Sequence, residues 1–466
     1  MQTARGVMNS GLKADSLSFF ESLVMGVAGS APGYTIAVTT GVLLASAGTL
    51  APSALVIFAV PVLGIAFAYR ALNKQAVSAG AAYQWTTAAF GKFLGFFSGW
   101  ALLIAALVFM VTGSIPAATA SLNFIDPALT GNVILTASVA SLWFVVVALV
   151  LIMGIEITSK VQVAMTSIEL VILTFVLVAA FVHVIHHGAA NIFSWSWFGF
   201  GYTRQSFAAS ALVTVFFYWG WDVTANLSEE TVNAKDTAGN GGFSSVIVTI
   251  VYYLGFTIAA LFLFSLKDAR SLTDNIIYNL AVASGLGRQG GLAASLAVIL
   301  SSIATLETTM LQFSRTLFAM GRDGALPRLF GRVSAKTRSP VSAMYLLIGI
   351  GLVLLWASSL MPSVGAIITA SVNAVAIQVT YYYGLTGLVA AWSFRREKGL
   401  RRLLLCLFPG ASGLMLIGLG IYAITTFNLI TQIVGVGGFA LGILFFRPGR
   451  YGGMEAQAAV IFGSES

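Results

Sequence analysis

Long apolar runs recur along this chain, each able to cross about 30 Å of hydrocarbon with roughly 20 residues. Twelve are found, at 19–44, 50–69, 93–121, 132–153, 161–182, 205–228, 241–266, 289–314, 341–360, 363–392, 403–425 and 428–446. In lipid a spanning backbone must satisfy its own N–H and C=O groups, so these runs predict an all-α membrane bundle. The composition agrees: 58% of the residues are hydrophobic and 9% are charged, against about 25% charged in soluble domains. The last two runs are separated only by "TTFN", and "SAGAAYQWTTAAFG" (78–91) forms either an interfacial or re-entrant helix or an extension of span three. No removable signal peptide is expected at the N-terminus. The single cysteine, Cys406, excludes an intramolecular disulfide and any multi-cysteine metal site.

Charge placement orients the bundle. With both ends inside, 20 of the 24 Lys and Arg fall on the cytoplasmic side, and only Arg204, Lys267, Arg270 and Arg288 fall outside. This is a strong positive-inside bias. The net charge of +8 is therefore a topology signal, and no nucleic-acid partner is implied. The expected surroundings are a lipid bilayer, the plasma membrane, with cytoplasmic N- and C-termini and a short tail (447–466).

Three carboxylates, Glu169, Asp222 and Glu307, fall well inside the spans, away from the end where Glu21 sits, and no Lys or Arg does. At about 1.5 Å per residue, Glu169 lies about 13 Å from Lys160, Glu307 about 12 Å from Arg315 and Asp222 about 10 Å from Glu229. Taking those partners as surface markers puts all three acids at one depth, where a bare ion costs at least ~2.5 kcal/mol. Each acid must then be protonated, face water, bond to backbone or hold a cation. The bland readings are a protonated acid in a helix interface for Glu169 and Glu307, and an N-cap for Asp222. Glu229 and Glu230 read as the start of a solvated loop, and Asp15 and Glu21 as acids at the positive end of span one.

Two spans are broken. "GSAPG" (29–33) interrupts the first: Pro32 removes a donor and pushes Ala31 away from helical angles, while Gly29 and Gly33 allow close approach. "FFYWGWD" (216–222) interrupts the sixth, with Gly220 between Trp219 and Trp221. Paired breaks in corresponding positions point to a transporter built from repeats, with its site between the halves. Broken helices offer free N–H groups at one end and free carbonyls at the other. Phe216, Phe217, Tyr218, Trp219 and Trp221 can close over a ligand or stack on a cation.

These features resemble the amino acid–polyamine–organocation (APC) family of secondary transporters. The resemblance rests on "GSAPG", on "AGAAYQW" with "GKFLGFFSGW", on "FFYWGWDVTANLSEET", and on "SRTLFAMGRDGALPRLFGRVSAKTRSP" (314–340). It implies the LeuT fold, a 5+5 inverted repeat over 19–187 and 205–392 with two extra helices at 403–446. It also implies that a substrate carboxylate meets the backbone of Ser30, Ala31 and Gly33, with Gly29 in the substrate-binding set. The amino group would meet carbonyls near Val27 and Ala28 and near Phe216 and Phe217, with Phe216 as gate. Here Ala31 stands where the family's break has a glycine. Span five, "SKVQVAMTSIELVIL", has Glu169 where many members carry a Lys that contacts span one in place of sodium.

The expectation is a proton-coupled importer of an amino acid or small amine, with no cofactor. Glu169 is the proton carrier, Asp222 couples or caps span six, and Glu307 recognises a cationic group. Exchange without ion coupling and sodium coupling through Glu169 and Glu307 are the alternatives. A membrane enzyme would have to use the histidines of "HVIHH" (183–187), which sit at the outer end of span five beside an aromatic belt. A channel would need a polar ring around a pore, and none is visible.

Overall fold

Ser18 starts the first helix. Its hydroxyl accepts the Glu21 N–H, and the Glu21 carboxylate accepts the Ser18 N–H at 2.8 Å, a reciprocal cap that satisfies two orphan donors. The computed structural model describes residues 11–266, 268, 276–426 and 429–448. Arg5, Lys267, Arg270, Arg450, the end of the "TTFN" turn and the tail from 449 lie outside the described residues. The rest is helical apart from connections and one isolated bridge, Leu17 with Thr231.

In chain order the helices are α1 (Phe19–Ser30), α2 (Pro32–Ala47), α3 (Ala51–Gln75), α4 (Ala82–Phe90), α5 (Lys92–Ile125), α6 (Val133–Ile152), α7 (Ile155–His187), α8 (Arg204–Phe217), α9 (Val223–Asn226) and α10 (Ala234–Leu263). They continue as α11 (Ile276–Ala281), α12 (Gly287–Arg322), α13 (Val341–Ser358), α14 (Val364–Ser393), α15 (Gly399–Thr426) and α16 (Ile433–Phe445). Nine stretches among the described residues are long and apolar enough to cross a membrane. That number is below twelve for physical reasons. Phe19–Gln75 runs on through a one-residue kink and a 3-10 turn, and so forms one stretch. The sixth expected span is cut at 218–222, and α16 is short.

The long helix α5 packs along α12 and α14, α3 along α10, and α1 against α10, α12 and α7. This places α1, α2, α8 and α9 inside a wall of longer helices. Apolar side chains on α7 face outward, Val171, Phe175 and Val178 being more than half exposed, as suits a surface in contact with lipid tails. Segment 78–91 is resolved as α4, a separate buried helix set off from α5 by Gly91 at φ 87.

The basic end of the bundle corrects two expectations. Glu230 is fully buried and forms a two-pronged ion pair with Arg315, both N···O distances being 2.9 Å. Glu229 is also tucked in, accepting from Arg322 at 3.1 Å and from the Ala79 N–H at 2.8 Å. Neither glutamate begins a solvated loop. The chain folds back after α9, and α12 continues to Arg322, so both acids meet arginines of α12. Arg315 and Glu229 are therefore buried, paired groups and do not serve as surface markers for the depth of Glu307 and Asp222.

Candidate functional site

The first break is one residue wide. Ala31 takes left-handed angles, φ 49 and ψ 68, a conformation costing an L-residue roughly 1–2 kcal/mol. Pro32 then starts α2 at the helical position where its missing N–H is harmless. The Ala31 N–H still donates to the Val27 and Ala28 carbonyls at 3.0 and 3.1 Å, so those two acceptors are already engaged. The Ser30 carbonyl receives the Thr35 and Tyr253 hydroxyls at 2.9 and 2.6 Å.

Gly33 carries the polar contact of the break. In a continuous helix its N–H would bond to the Gly29 carbonyl. Instead it donates to Glu169 Oε1 at 2.9 Å, from α7. The Gly29 carbonyl takes the Thr305 hydroxyl of α12 at 3.1 Å. Glu169 is fully buried, and its second oxygen, Oε2, has no partner among the described residues. An acid at this point sits where the N-terminal end of α2 favours negative charge.

The second break is wider. α8 stops at Phe217, residues 218–222 are not helical, and α9 is a single turn. Gly220 has φ 100, which a side chain would strain. The two breaks touch: a Cβ on Gly29 would collide with the Gly220 carbonyl, and one on Gly220 with the Gly29 carbonyl. Asp222 stands at the N-cap position of α9 but makes no capping bond with its side chain. Its carboxylate instead accepts Tyr383 OH at 2.8 Å, Gln312 Nε2 at 2.7 Å and Tyr382 OH at 3.1 Å. The capping role is thus replaced by a buried polar cage.

Between the breaks lies a narrow cavity of about 10 Å³, lined by Gly29, Ser30, Ala31, Tyr34, Thr35, Phe109, Phe216, Trp219 and Thr305. Four rings belt it: Tyr34 meets Phe109 edge-on at 5.9 Å, and Phe109 meets Trp219 edge-on at 5.2 Å. Phe216 lies 6.4 Å from both Tyr34 and Trp219. Trp219 Nε1 donates to Tyr382 OH at 2.6 Å, and this links the cavity wall to the Asp222 cage. Outside the cavity lining, Tyr69 packs edge-on against Trp85 and Trp221, at 5.3 and 5.1 Å.

Of the residues expected at the site, Gly29, Ser30, Ala31, Phe216 and Trp219 line the cavity. Gly220 abuts it through Gly29. Val27, Ala28 and Gly33 lie behind it along the first break. Phe217 turns its ring to Tyr253 at 5.0 Å, and Tyr218 donates to the Leu55 carbonyl at 3.1 Å. Glu307 does not line the cavity. It is two residues from Thr305, about 200° around the helix, buried with Oε1 unpartnered. Sequence reasoning missed Tyr34, Thr35, Phe109 and Thr305 on the wall, and Tyr253, Gln312, Tyr382 and Tyr383 behind it. His183 and His187 stack at 4.2 Å near the end of α7, and no group of three metal-ligating side chains occurs among the described residues.

Comparison with known proteins agrees with this architecture. A family model described as "Amino acid permease" matches residues 17–446. The chain is 28% identical over 357 residues to the low-affinity putrescine importer PlaP of Escherichia coli, covering 72% of this chain and 74% of that protein. It is 26% identical over 349 residues to the branched-chain amino acid permease BcaP of Bacillus subtilis, covering 71% and 72%. Cationic amino acid transporter 4, vacuolar, of Arabidopsis thaliana is 24% identical over 294 residues, 59% of this chain. The chain spans about half the length of its Arabidopsis relatives (47%, 45% and 57% for three of them). Among solved structures, a manganese transporter of Eremococcus coleocola superposes with a TM-score of 0.61 over 98% of this chain and 99% of that one, at 14% identity. That likeness concerns the fold. A chain with this helical bundle, matched nearly end to end by the family model, belongs to the amino acid permease family, among the APC permeases.

Proposed function

We propose that this permease is a proton-coupled importer of an amino acid or small amine across the plasma membrane, with cytoplasmic termini. Its helices form a 5+5 inverted repeat (19–187 and 205–392) with two further helices, twelve spans in all. One bundle rocks against the other around the touching breaks. The observation that carries the reading is Glu169 Oε1 at 2.9 Å from the Gly33 N–H.

An acid bonded to a helix break changes that break's stability with its protonation state. A negative carboxylate is held by the N-terminal end of α2, and a neutral one is held less. Proton binding at Glu169 therefore loosens α2 from α7, and proton release re-forms the contact. Substrate in the cavity touches Ala31 and Tyr34, on either side of Gly33, so loading and protonation act on the same turn. Asp222 couples the second break to α14 and α12 through Tyr382, Tyr383 and Gln312.

The test is uptake by proteoliposomes containing the purified protein, with and without an inward proton gradient. Uptake that rises with the gradient and collapses with a protonophore supports the reading. Counterflow of equal size with no gradient dependence assigns exchange instead.

A further inference from the structure

The cavity is built to receive a cation and is poorly equipped for a carboxylate. No Lys, Arg or His lines it. Among the backbone groups of the first break, Pro32 has no N–H to offer a carboxylate. The Ala31 N–H is given to Val27 and Ala28, that of Thr35 to the Ala31 carbonyl and that of Gly33 to Glu169. At most the Tyr34 amide is left. The Gly33 N–H is taken by Glu169, and a charged Glu169 also repels a second carboxylate at the same helix end.

A positive group fares better. Tyr34, Phe109, Phe216 and Trp219 present four rings around one space, and ring faces attract ammonium groups by about 0.5–2 kcal/mol each. The Gly29 carbonyl, deprived of its helical donor, receives one hydroxyl and keeps a second lone pair. Tyr34 lines the cavity, and its buried hydroxyl has no partner among the described residues, so it is free to accept from an N–H donor or to donate to an oxygen. The cavity measures about 10 Å³, close to the room one water needs, so a small amine is admitted only as the ring belt parts.

Resting on the transport reading above, we infer that the substrate is an organic amine that carries no carboxylate, a primary amine or short diamine, and that Glu169 excludes the parent amino acids by occupying the carboxylate position. Glu169 thus acts in specificity as well as coupling.

The experiment compares amino acids with their decarboxylated partners on the full-length protein in detergent. The pairs are ornithine with putrescine, lysine with cadaverine, leucine with isopentylamine and phenylalanine with phenethylamine. Binding is read by thermal shift and by isothermal calorimetry. At least one amine is expected to bind at least about tenfold more tightly than its parent, a difference of about 1.4 kcal/mol. In Glu169→Gln, which keeps the shape and an acceptor but removes the charge, that ratio narrows. Glu169→Ala, which also frees the Gly33 N–H, narrows it further. Parent amino acids that bind wild type as well as the amines do, or a panel in which no amine binds, overturns the inference. The two readings fail separately. An amine that binds with this selectivity but is never taken up by proteoliposomes sinks the transport reading alone. Gradient-driven uptake of an amino acid in preference to its amine sinks the substrate inference alone.

Discussion

Gly29 and Gly220 meet backbone to backbone: a Cβ on either residue would overlap the other's carbonyl. This contact joins the two helix breaks, and the cavity opens beside it. Any motion that changes the angle between the first and sixth spans must turn about this pair or separate it.

Alanine at either glycine should therefore impair the protein, and more so at 220. Gly29→Ala meets only the steric overlap, of the order of 1–3 kcal/mol for overpacking. Gly220→Ala adds the strain of φ 100, about 1–2 kcal/mol more. Melting of the purified variants should rank wild type above Gly29→Ala and Gly29→Ala above Gly220→Ala, with uptake lost in the last.

The Glu230–Arg315 pair is fully buried and bonded at both prongs. Removing one partner leaves an uncompensated charge, costing about 3–5 kcal/mol. Glu230→Gln and Arg315→Met should each lower the melting temperature sharply. The double variant should recover most of the loss, and a double-mutant cycle on thermal stability would measure that coupling.

Tyr382 stands between the cavity wall and the acid cage, accepting from Trp219 at 2.6 Å and donating to Asp222 at 3.1 Å. Tyr382→Phe keeps the ring and removes both bonds. Each bond is worth about 0.5–1.5 kcal/mol, somewhat more to a charged group. The expected result is a rise of roughly tenfold in the KM for uptake with normal expression. Tyr381→Phe, one residue along α14, serves as the control and should leave KM unchanged.

Asp323, just past α12 at the basic end, has its carboxyl pushed above the usual range, chiefly by burial, while Arg322 and Gln84 pull it back. A raised acid binds its proton more readily folded than unfolded, so its contribution favours the fold below its unfolded pKa. That contribution is lost as pH rises through the folded value. Asp323→Asn should flatten the fall in melting temperature over that window, as a pH series of thermal melts would show.

Both breaks were legible in the sequence because Pro and Gly act locally: Pro32 excludes helical angles at Ala31, and Gly220 supplies the positive φ. Glu169 stood out as an acid without a basic neighbour, and the family resemblance pointed it towards span one. What stayed hidden depends on distance along the chain. Asp222 looked like a cap, but the groups that hold it are on α14 and α12, 160, 161 and 90 residues away. Glu229 and Glu230 looked solvated because nothing nearby in sequence neutralises them, and their arginines are 93 and 85 residues further on. Tyr34, Phe109 and Thr305 are ordinary residues for membrane helices, and only packing brings them to one wall.

The most direct test of the account is Glu169→Gln in proteoliposomes, with uptake of a transported amine followed across pH with and without an inward proton gradient. The account predicts that the variant still folds and binds, loses its response to the gradient and shows a flat pH profile. Uptake by Glu169→Gln at the wild-type rate, with the same gradient response and pH dependence, would contradict it.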